Sequence, residues 1–196
     1  QFEAIDAGLA VQPANLAAQT EGGIVSLLVC DYRDGELRGY VMHDNDRLVG
    51  LGASPSLFAL FGKGYLAVTF DLAATGQRYQ GIVPLEGESL GQACESYFAQ
   101  SEQLPTRFAL TFGRSQTPGA ALHWRGGGVM LQHMPGVGGS VAAEQGSGEG
   151  GLLSHTDILG GEEAENWTRA NALLDTVEEI ELIGPTVAPT DLLVWL

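Results

Sequence analysis

The sequence predicts an α+β fold, in which a mainly antiparallel sheet is built from hairpins and packed against amphipathic helices. Apolar and polar residues alternate on both sides of short turn segments, which is the pattern of hairpin strands. Two later segments repeat apolar residues at helical spacing. Glycine supplies 28 of the 196 residues, about twice its usual share, and this favours tight turns over long helices.

The first hairpin is predicted around Asp34-Gly35, a pair that suits a two-residue turn. Residues 24–32 form a nearly continuous apolar run, which predicts a strand buried on both faces. Residues 36–42 alternate between apolar and polar side chains and predict the returning strand. The following segment, 45–64, is rich in glycine and predicts a loop with one helical turn near residues 56–61.

A second hairpin is predicted from residues 65–72 and 77–84, which a short loop through Gly76 connects. The first of these strands alternates regularly. The alternation places four apolar side chains on one face: Leu66, Val68, Phe70 and Leu72.

Two helices are predicted after the hairpins. Ser89 and Gln92 have the spacing of a capping box, and an apolar stripe follows at Leu90, Ala93, Cys94, Tyr97 and Phe98. The second helix is predicted over residues 162–177. Between them, the patterns predict strands near 107–112 and 128–134 and a flexible loop over 135–151.

Charge limits the classes of partner. The chain has 9 basic and 24 acidic residues, a formal net charge of −15, so nucleic acids and anionic membranes would be repelled. We find no apolar run of about 18 residues and no secretory leader pattern. We therefore expect a soluble protein of the cytoplasm that binds neither nucleic acid nor membrane.

Patterns that carry catalytic chemistry are absent or ambiguous. The sequence contains neither a G-x-S-x-G elbow nor a G-x-x-x-x-G-K-[ST] phosphate loop. Residues 43–46 suit a cation loop or a solvated turn, and Glu86 and Glu88 suit acid-base work or a plain acidic surface. Cys30 and Cys94 lie in apolar patterns and are predicted to be reduced, buried thiols. We expect no enzyme, no catalytic residue, no cofactor and no metal ligand in this chain.

A long resemblance gives a specific hypothesis. The block R-Y-Q-G-I-V-P-L at 78–85, followed by Y-F-A-Q-S-E-Q-L-P-T at 97–106, resembles the signature of the Hsp33 family of redox-regulated chaperones. Supporting blocks lie at 26–40 and 126–135, and the helical segments 167–174 and 189–193 are also similar. The resemblance runs from about Gly23 to the end of the chain.

The resemblance implies a holdase, a chaperone that binds unfolding or oxidatively damaged proteins and prevents their aggregation. It also implies a zinc ion in the full-length family protein, held by four cysteines in a carboxyl-terminal switch domain. Nothing in this chain matches that cysteine pattern, so no metal or redox role passes to Cys30 or Cys94. We expect residues 1–160 to be the chaperone core and residues 161–196 to be a helical segment that leads to a linker.

Unfolded or partly folded client proteins are the expected partners. Their binding is predicted on the apolar strand faces and on three residues near the chain end, Leu192, Leu193 and Trp195, although ordinary core packing is the alternative role. These three residues lie in a helical start that the chain end cuts short. The sequence also allows a homodimer in which two copies exchange strands or segments.

Two other classes of function stay open from the sequence. A small hydrolase or ligand-binding domain would use the glycine-rich loops, and a serine or carboxylate pair hydrogen-bonded to a histidine would favour it. A structural dimerisation domain would instead bury a broad apolar sheet face against a second copy.

Overall fold

The computed structural model describes residues 14–33, 36–72, 77–116, 119, 121–133, 159 and 161–184. These residues fall into two compact units, and the division in sequence lies between Tyr97 and Phe98. The expected functional boundary at residue 160 concerns client binding and stays a prediction. The observed antiparallel sheets and helices confirm the predicted α+β class.

The amino-terminal unit is built on a five-stranded antiparallel sheet with the order β3-β2-β1-β4-β5. Its strands are β1 (Ala14–Glu21), β2 (Val25–Arg33), β3 (Glu36–His43), β4 (Lys63–Leu72) and β5 (Gln77–Pro84). Both predicted hairpins are confirmed, because β2 pairs with β3 and β4 pairs with β5 along their lengths.

The core of this unit lies on one face of the sheet, which we call the inner face. It carries three members of the predicted apolar set, Leu66, Val68 and Phe70, because alternate residues of β4 point to the same side. Helix α3 (Leu90–Tyr97) packs against β4 and β5. Tyr97 is fully buried, with its ring centroid 6.4 Å from that of Phe70.

The start of α3 follows the predicted capping pattern with one change. The Ser89 hydroxyl accepts a hydrogen bond from the Gln92 backbone N–H at 3.2 Å. The Gln92 side-chain oxygen accepts from the Glu88 backbone N–H at 2.7 Å, one residue before the position that a reciprocal capping box uses.

Two expectations for the amino-terminal unit are wrong. Strand β2 is half-buried rather than buried on both faces, because α3 packs on β4 and β5 and only the short helical segment 57–61 packs near β2 among the main helix–strand contacts. The segment after β3 contains a helix α1 (Asn45–Val49) as well as the predicted turn, which is helix α2 (Leu57–Phe61). The Asp44 carboxylate caps α1 by accepting from the backbone N–H groups of Asp46 and Arg47.

The carboxyl-terminal unit contains a two-stranded antiparallel sheet and two described α-helices. Its elements are a π-helical turn (Phe98–Glu102), β6 (Thr106–Ser115), β7 (His123–Gln132), α4 (Gly161–Leu174) and α5 (Glu179–Ile183). Strand β7 begins well before the predicted position at residue 128, because cross-strand pairing extends through Gly126 and Gly127. Helix α5 was not predicted, since five residues are too short to show a helical period.

Glycines allow α5 to lie directly against the hairpin β6–β7. A β-carbon at Gly113 would come within 2.9 Å of the Ile183 side chain. A β-carbon at Gly127 would come within 2.2 Å of the Leu182 carbonyl oxygen. The close approach of α5 to the sheet therefore requires a residue without a side chain at Gly127.

We expect Gly127→Ala to destabilise the carboxyl-terminal unit by about 1–3 kcal/mol, because α5 must move away from the sheet. Chemical denaturation measures this change. Gly39→Ala is the matched control in a strand, since its β-carbon would meet its nearest atom, Cys30 Sγ, at an ordinary 3.8 Å. Equal stability of the two variants would contradict the expected packing of α5.

Candidate functional site

The face of the five-stranded sheet opposite α3 carries a band of apolar side chains. Cross-strand pairing aligns Tyr40, Val29, Ala17, Ala67 and Ile82 in one row that runs across all five strands. Tyr40 is 59% exposed and Ile82 is 58% exposed. In the neighbouring row, Leu27 lies beside Met42. We call this set the sheet patch: Leu27, Val29, Tyr40, Met42 and Ile82.

The edge strand β3 is exposed on both of its faces. Leu37 and Val41 belong to the inner face, yet they are 54% and 46% exposed. Within the described residues, α3 packs against β4 and β5 at the other side of the sheet. An edge strand with exposed apolar side chains on both faces can bind an apolar partner, because its apolar area stays in contact with water.

A second apolar surface lies on the hairpin β6–β7, on the face that does not contact α5. Phe112 is 80% exposed and Trp124 is 66% exposed, and their ring centroids are 6.4 Å apart. The Arg114 guanidinium lies 5.2 Å from the centroid of the Trp124 ring, within the range of a cation–π contact. We call this set the hairpin patch: Leu110, Phe112, Trp124 and Met130.

The sheet face opposite α3, which we call the outer face, has a polar end that forms a pocket of about 620 Å³. It is lined by Ala14, Asn15, Asp31, Tyr32, Arg33, Arg38, Thr69, Asp71, Arg78 and Gln80. Side chains of neighbouring strands are linked across it. The Asn15 amide donates to Asp31, and the Gln80 amide donates to the Thr69 hydroxyl at 3.0 Å.

An exposed ion pair fixes one wall of this pocket. The Arg78 Nε donates to an Asp71 carboxylate oxygen at 2.8 Å. This hydrogen bond lowers the pKa of Asp71, with further attraction from Arg78 and Arg33, and it raises the pKa of Arg78. Both side chains are therefore charged at neutral pH, and the pocket keeps its guanidinium groups.

The two cysteines are half-buried rather than buried as the sequence predicted, and both are free thiols. Burial raises the pKa of Cys30, and the neighbouring Asp31 adds to the effect. Burial also raises the pKa of Cys94 to about 11, with a smaller contribution from Glu95. Both thiols are thus protonated at neutral pH, which is the opposite of what a reactive sensor cysteine requires.

The candidate polar residues do not form a reactive cluster. Asp44 serves as a helix cap, and Glu86 and Glu88 lie at the exposed start of α3. None of the three described histidines shares a hydrogen bond with a serine or a carboxylate; the His123 ring contacts the Ala121 carbonyl oxygen at 3.0 Å. Among the described residues, no group of three or more His, Cys, Asp or Glu side chains could hold a metal ion.

The three predicted client contacts, Leu192, Leu193 and Trp195, lie outside the described residues and stay predictions. The glycine-rich loop predicted over 135–151 also falls outside them. The strand faces, by contrast, are described, and they bring together side chains that are distant in sequence. The sequence alone did not predict the arginine-lined pocket, because its residues come from all five strands of the sheet and form no local motif.

No described helix is long and apolar enough to cross a membrane. The described residues define an α+β protein that presents apolar sheet faces, with polar groups serving mainly as caps, cross-strand links and ion pairs. Known proteins with related sequences identify the family within this class.

A family model described as Hsp33 protein matches residues 7–193. A 33 kDa chaperonin of Caulobacter vibrioides is 37% identical over 185 residues, which cover 92% of this chain and 54% of that protein. A 33 kDa chaperonin of Ectopseudomonas mendocina is 35% identical, over 86% of this chain and 47% of that protein. The chain belongs to the Hsp33 family, and it spans about half the length of these relatives.

The fold agrees with a solved structure. The crystal structure of a 33 kDa chaperonin from Thermotoga maritima, a heat shock protein 33 homolog, matches with a TM-score of 0.58 at 20% identity. The match covers 96% of this chain and 56% of that chain. The resemblance stated from the sequence is thus confirmed for the family and for the fold.

We expect both thiols to react slowly with iodoacetamide at pH 8 in the folded chain. For Cys94, a rise of the pKa from 9.0 to about 11 lowers the thiolate fraction about 100-fold. Mass spectrometry of the labelled chain gives the two rates, and the chain in guanidinium is the control. Labelling of folded Cys94 at the unfolded rate would contradict its burial.

The same burial predicts a loss of stability at alkaline pH. The Cys94 thiol ionises in the unfolded chain near pH 9.0 and in the folded chain only near pH 11. The unfolded state therefore releases its proton first, and the free energy of unfolding falls between these values. Denaturation of Cys94→Ala, compared with the unsubstituted chain across this interval, measures the contribution. A parallel decline in both would contradict it.

Proposed function

We propose that this chain is the client-binding core of a chaperone of the holdase type. The observation that carries the proposal is the exposure of large apolar side chains on two sheet faces, the sheet patch and the hairpin patch, in a chain with a net charge of −15. Apolar contact is non-directional and tolerates many client sequences. The net charge opposes association of the chain with itself.

The energetics of this function need no reactive group. Burying on the order of 1,000 Å² of apolar surface contributes roughly 25 kcal/mol. Loss of motion and ordering of the client remove about 4–15 kcal/mol or more of this amount. The remainder is sufficient for binding, so the chain acts by adhesion to unfolding proteins rather than by making or breaking bonds.

Redox regulation and zinc are proposed only for the full-length family protein. A structural zinc ion contributes about 10–16 kcal/mol of apparent binding free energy in small sites, so its loss unfolds the module that it holds. Within this chain, the raised pKa values of Cys30 and Cys94 oppose a sensor role. We therefore propose that the chain carries the binding function, without a cofactor, in the cytoplasm.

The clients are unfolded or partly folded proteins. The alternative of a small hydrolase receives no support from the three described histidines, whose hydrogen bonds include neither a serine nor a carboxylate. Leu192, Leu193 and Trp195 stay proposed client contacts, and homodimer formation stays a prediction.

We expect the double variant Tyr40→Ser, Ile82→Ser to suppress the aggregation of a thermally unfolding client at least about fivefold less well. Losing about 1 kcal/mol of apolar contact already lowers an equilibrium constant by about this factor. Phe112→Ser in the hairpin patch is expected to act in the same direction. Light scattering against chain concentration measures the effect.

Val49→Ser is the matched control, because Val49 is 87% exposed on α1 and belongs to neither patch. All of these substitutions lie on the surface and should leave folding stability within about 0.5 kcal/mol. Equal loss of activity in the Val49 variant, or full activity in the double variant, would argue against client binding at the sheet patch.

We expect the isolated chain to suppress client aggregation equally well before and after treatment with hydrogen peroxide, because both thiols are protonated and half-buried. The variant Cys30→Ser, Cys94→Ser should behave in the same way. Activity that appears only after peroxide, and only with the cysteines present, would show that this chain contains its own redox sensor.

A further inference from the structure

The pocket at the polar end of the outer sheet face concentrates positive charge in an acidic chain. Arg33, Arg38 and Arg78 line it, and the whole sequence has only nine basic residues against 24 acidic ones. Strands β2, β3 and β5 each supply one arginine. Asp31 and Asp71 are the two acidic residues in the lining, so the pocket has a formal charge of +1 in a chain whose formal net charge is −15.

Two of the guanidinium groups, those of Arg78 and Arg38, differ in how they are held. Arg78 is fixed by its hydrogen bond to Asp71. Arg38 lies opposite Asp31 in the strand register but makes no hydrogen bond or ion pair within the described part of the chain. It is exposed on the edge strand β3. A planar guanidinium has five N–H donors and pairs with a carboxylate in a two-pronged geometry.

The pocket is continuous with the sheet patch. On β3, Arg38 is two residues from Tyr40, and on β5, Gln80 is two residues from Ile82. Two residues along a strand span about 6.6–6.8 Å. An extended segment of about three residues that lies along the strands therefore contacts the apolar row with one side chain and the pocket with another.

We propose that the pocket binds the carboxylate groups of client segments, so that the chain selects apolar segments that carry an adjacent Asp or Glu. This inference rests on the proposed holdase function and adds a preference among clients. Without such a pocket, a chain of net charge −15 would repel acidic segments and favour basic ones. The arginines offset this bias next to the apolar contact surface.

A pair of peptides tests the preference. Both are fluorescein-labelled and share one apolar core of leucine and phenylalanine; one core is followed by two glutamates and the other by two glutamines. Fluorescence anisotropy with the full 196-residue chain measures the dissociation constants at an ionic strength of about 20 mM, where surface charges are weakly screened. We expect the glutamate peptide to bind about fivefold more tightly.

Arg38→Gln should reduce this ratio to below about twofold, while the affinity for the glutamine peptide stays unchanged, because an unpaired exposed arginine carries little folding energy. Arg38→Lys should keep part of the ratio. Arg169→Gln is the matched control: it removes the same charge from an exposed position on α4, where Arg169 lies 4.0 Å from Glu165. About 0.5 M salt should abolish the ratio in the unsubstituted chain.

The outcomes separate the two proposals. If both peptides bind equally well, or if Arg169→Gln lowers the ratio as much as Arg38→Gln does, the pocket has no role and only this inference fails. If neither peptide binds, the holdase proposal fails together with it. Shifts of the Arg38 and Arg78 Nε–Hε NMR signals upon addition of the glutamate peptide, but not of the glutamine peptide, would place the carboxylates in the pocket.

Discussion

The register of the five-stranded sheet is the constraint on which the surface of the amino-terminal unit depends. Antiparallel pairing sends every second side chain to the same face, so the hydrogen-bonded ladder decides which residues share a row. A shift of β3 by one residue would move Tyr40 and Met42 to the inner face and replace them with Val41 and Gly39. The apolar row and the arginine-lined pocket both follow from this one alignment.

A second constraint is that helix α3 covers only part of one sheet face. Tyr97 and Ala93 close the core over β4 and β5, where Leu66 and Val83 are buried. The β3 side of the described sheet keeps its apolar side chains in water, which costs free energy in the isolated chain. A surface that binds unfolded segments must keep apolar side chains exposed despite this cost in free energy, because an apolar face that is already buried cannot contact a client.

The net charge and the exposed apolar side chains have opposite effects on the association of this chain. Exposed aromatic and aliphatic side chains favour association, whereas the net charge of −15 disfavours it. The few arginines are clustered at particular places. Three of them meet at one end of the sheet, while Arg114 lies over the Trp124 ring in the hairpin patch. Positive charge is thus placed beside both apolar surfaces.

The sequence by itself determined the local features: the two hairpins, the apolar face of β4, the start of α3 at Ser89 and the family membership. The hairpins, the β4 face and the helix start depend on neighbours within a few residues, where periodicity and capping chemistry act, and the family membership follows from the blocks at 78–85 and 97–106. It did not determine the half-burial of β2, the early start of β7 or helix α5, because each depends on which elements pack together. The arginine-lined pocket is of the same kind. Residues as distant as Arg33 and Arg78 meet only when β1 and β4 pair between them, and no local pattern in a sequence records such a long-range contact.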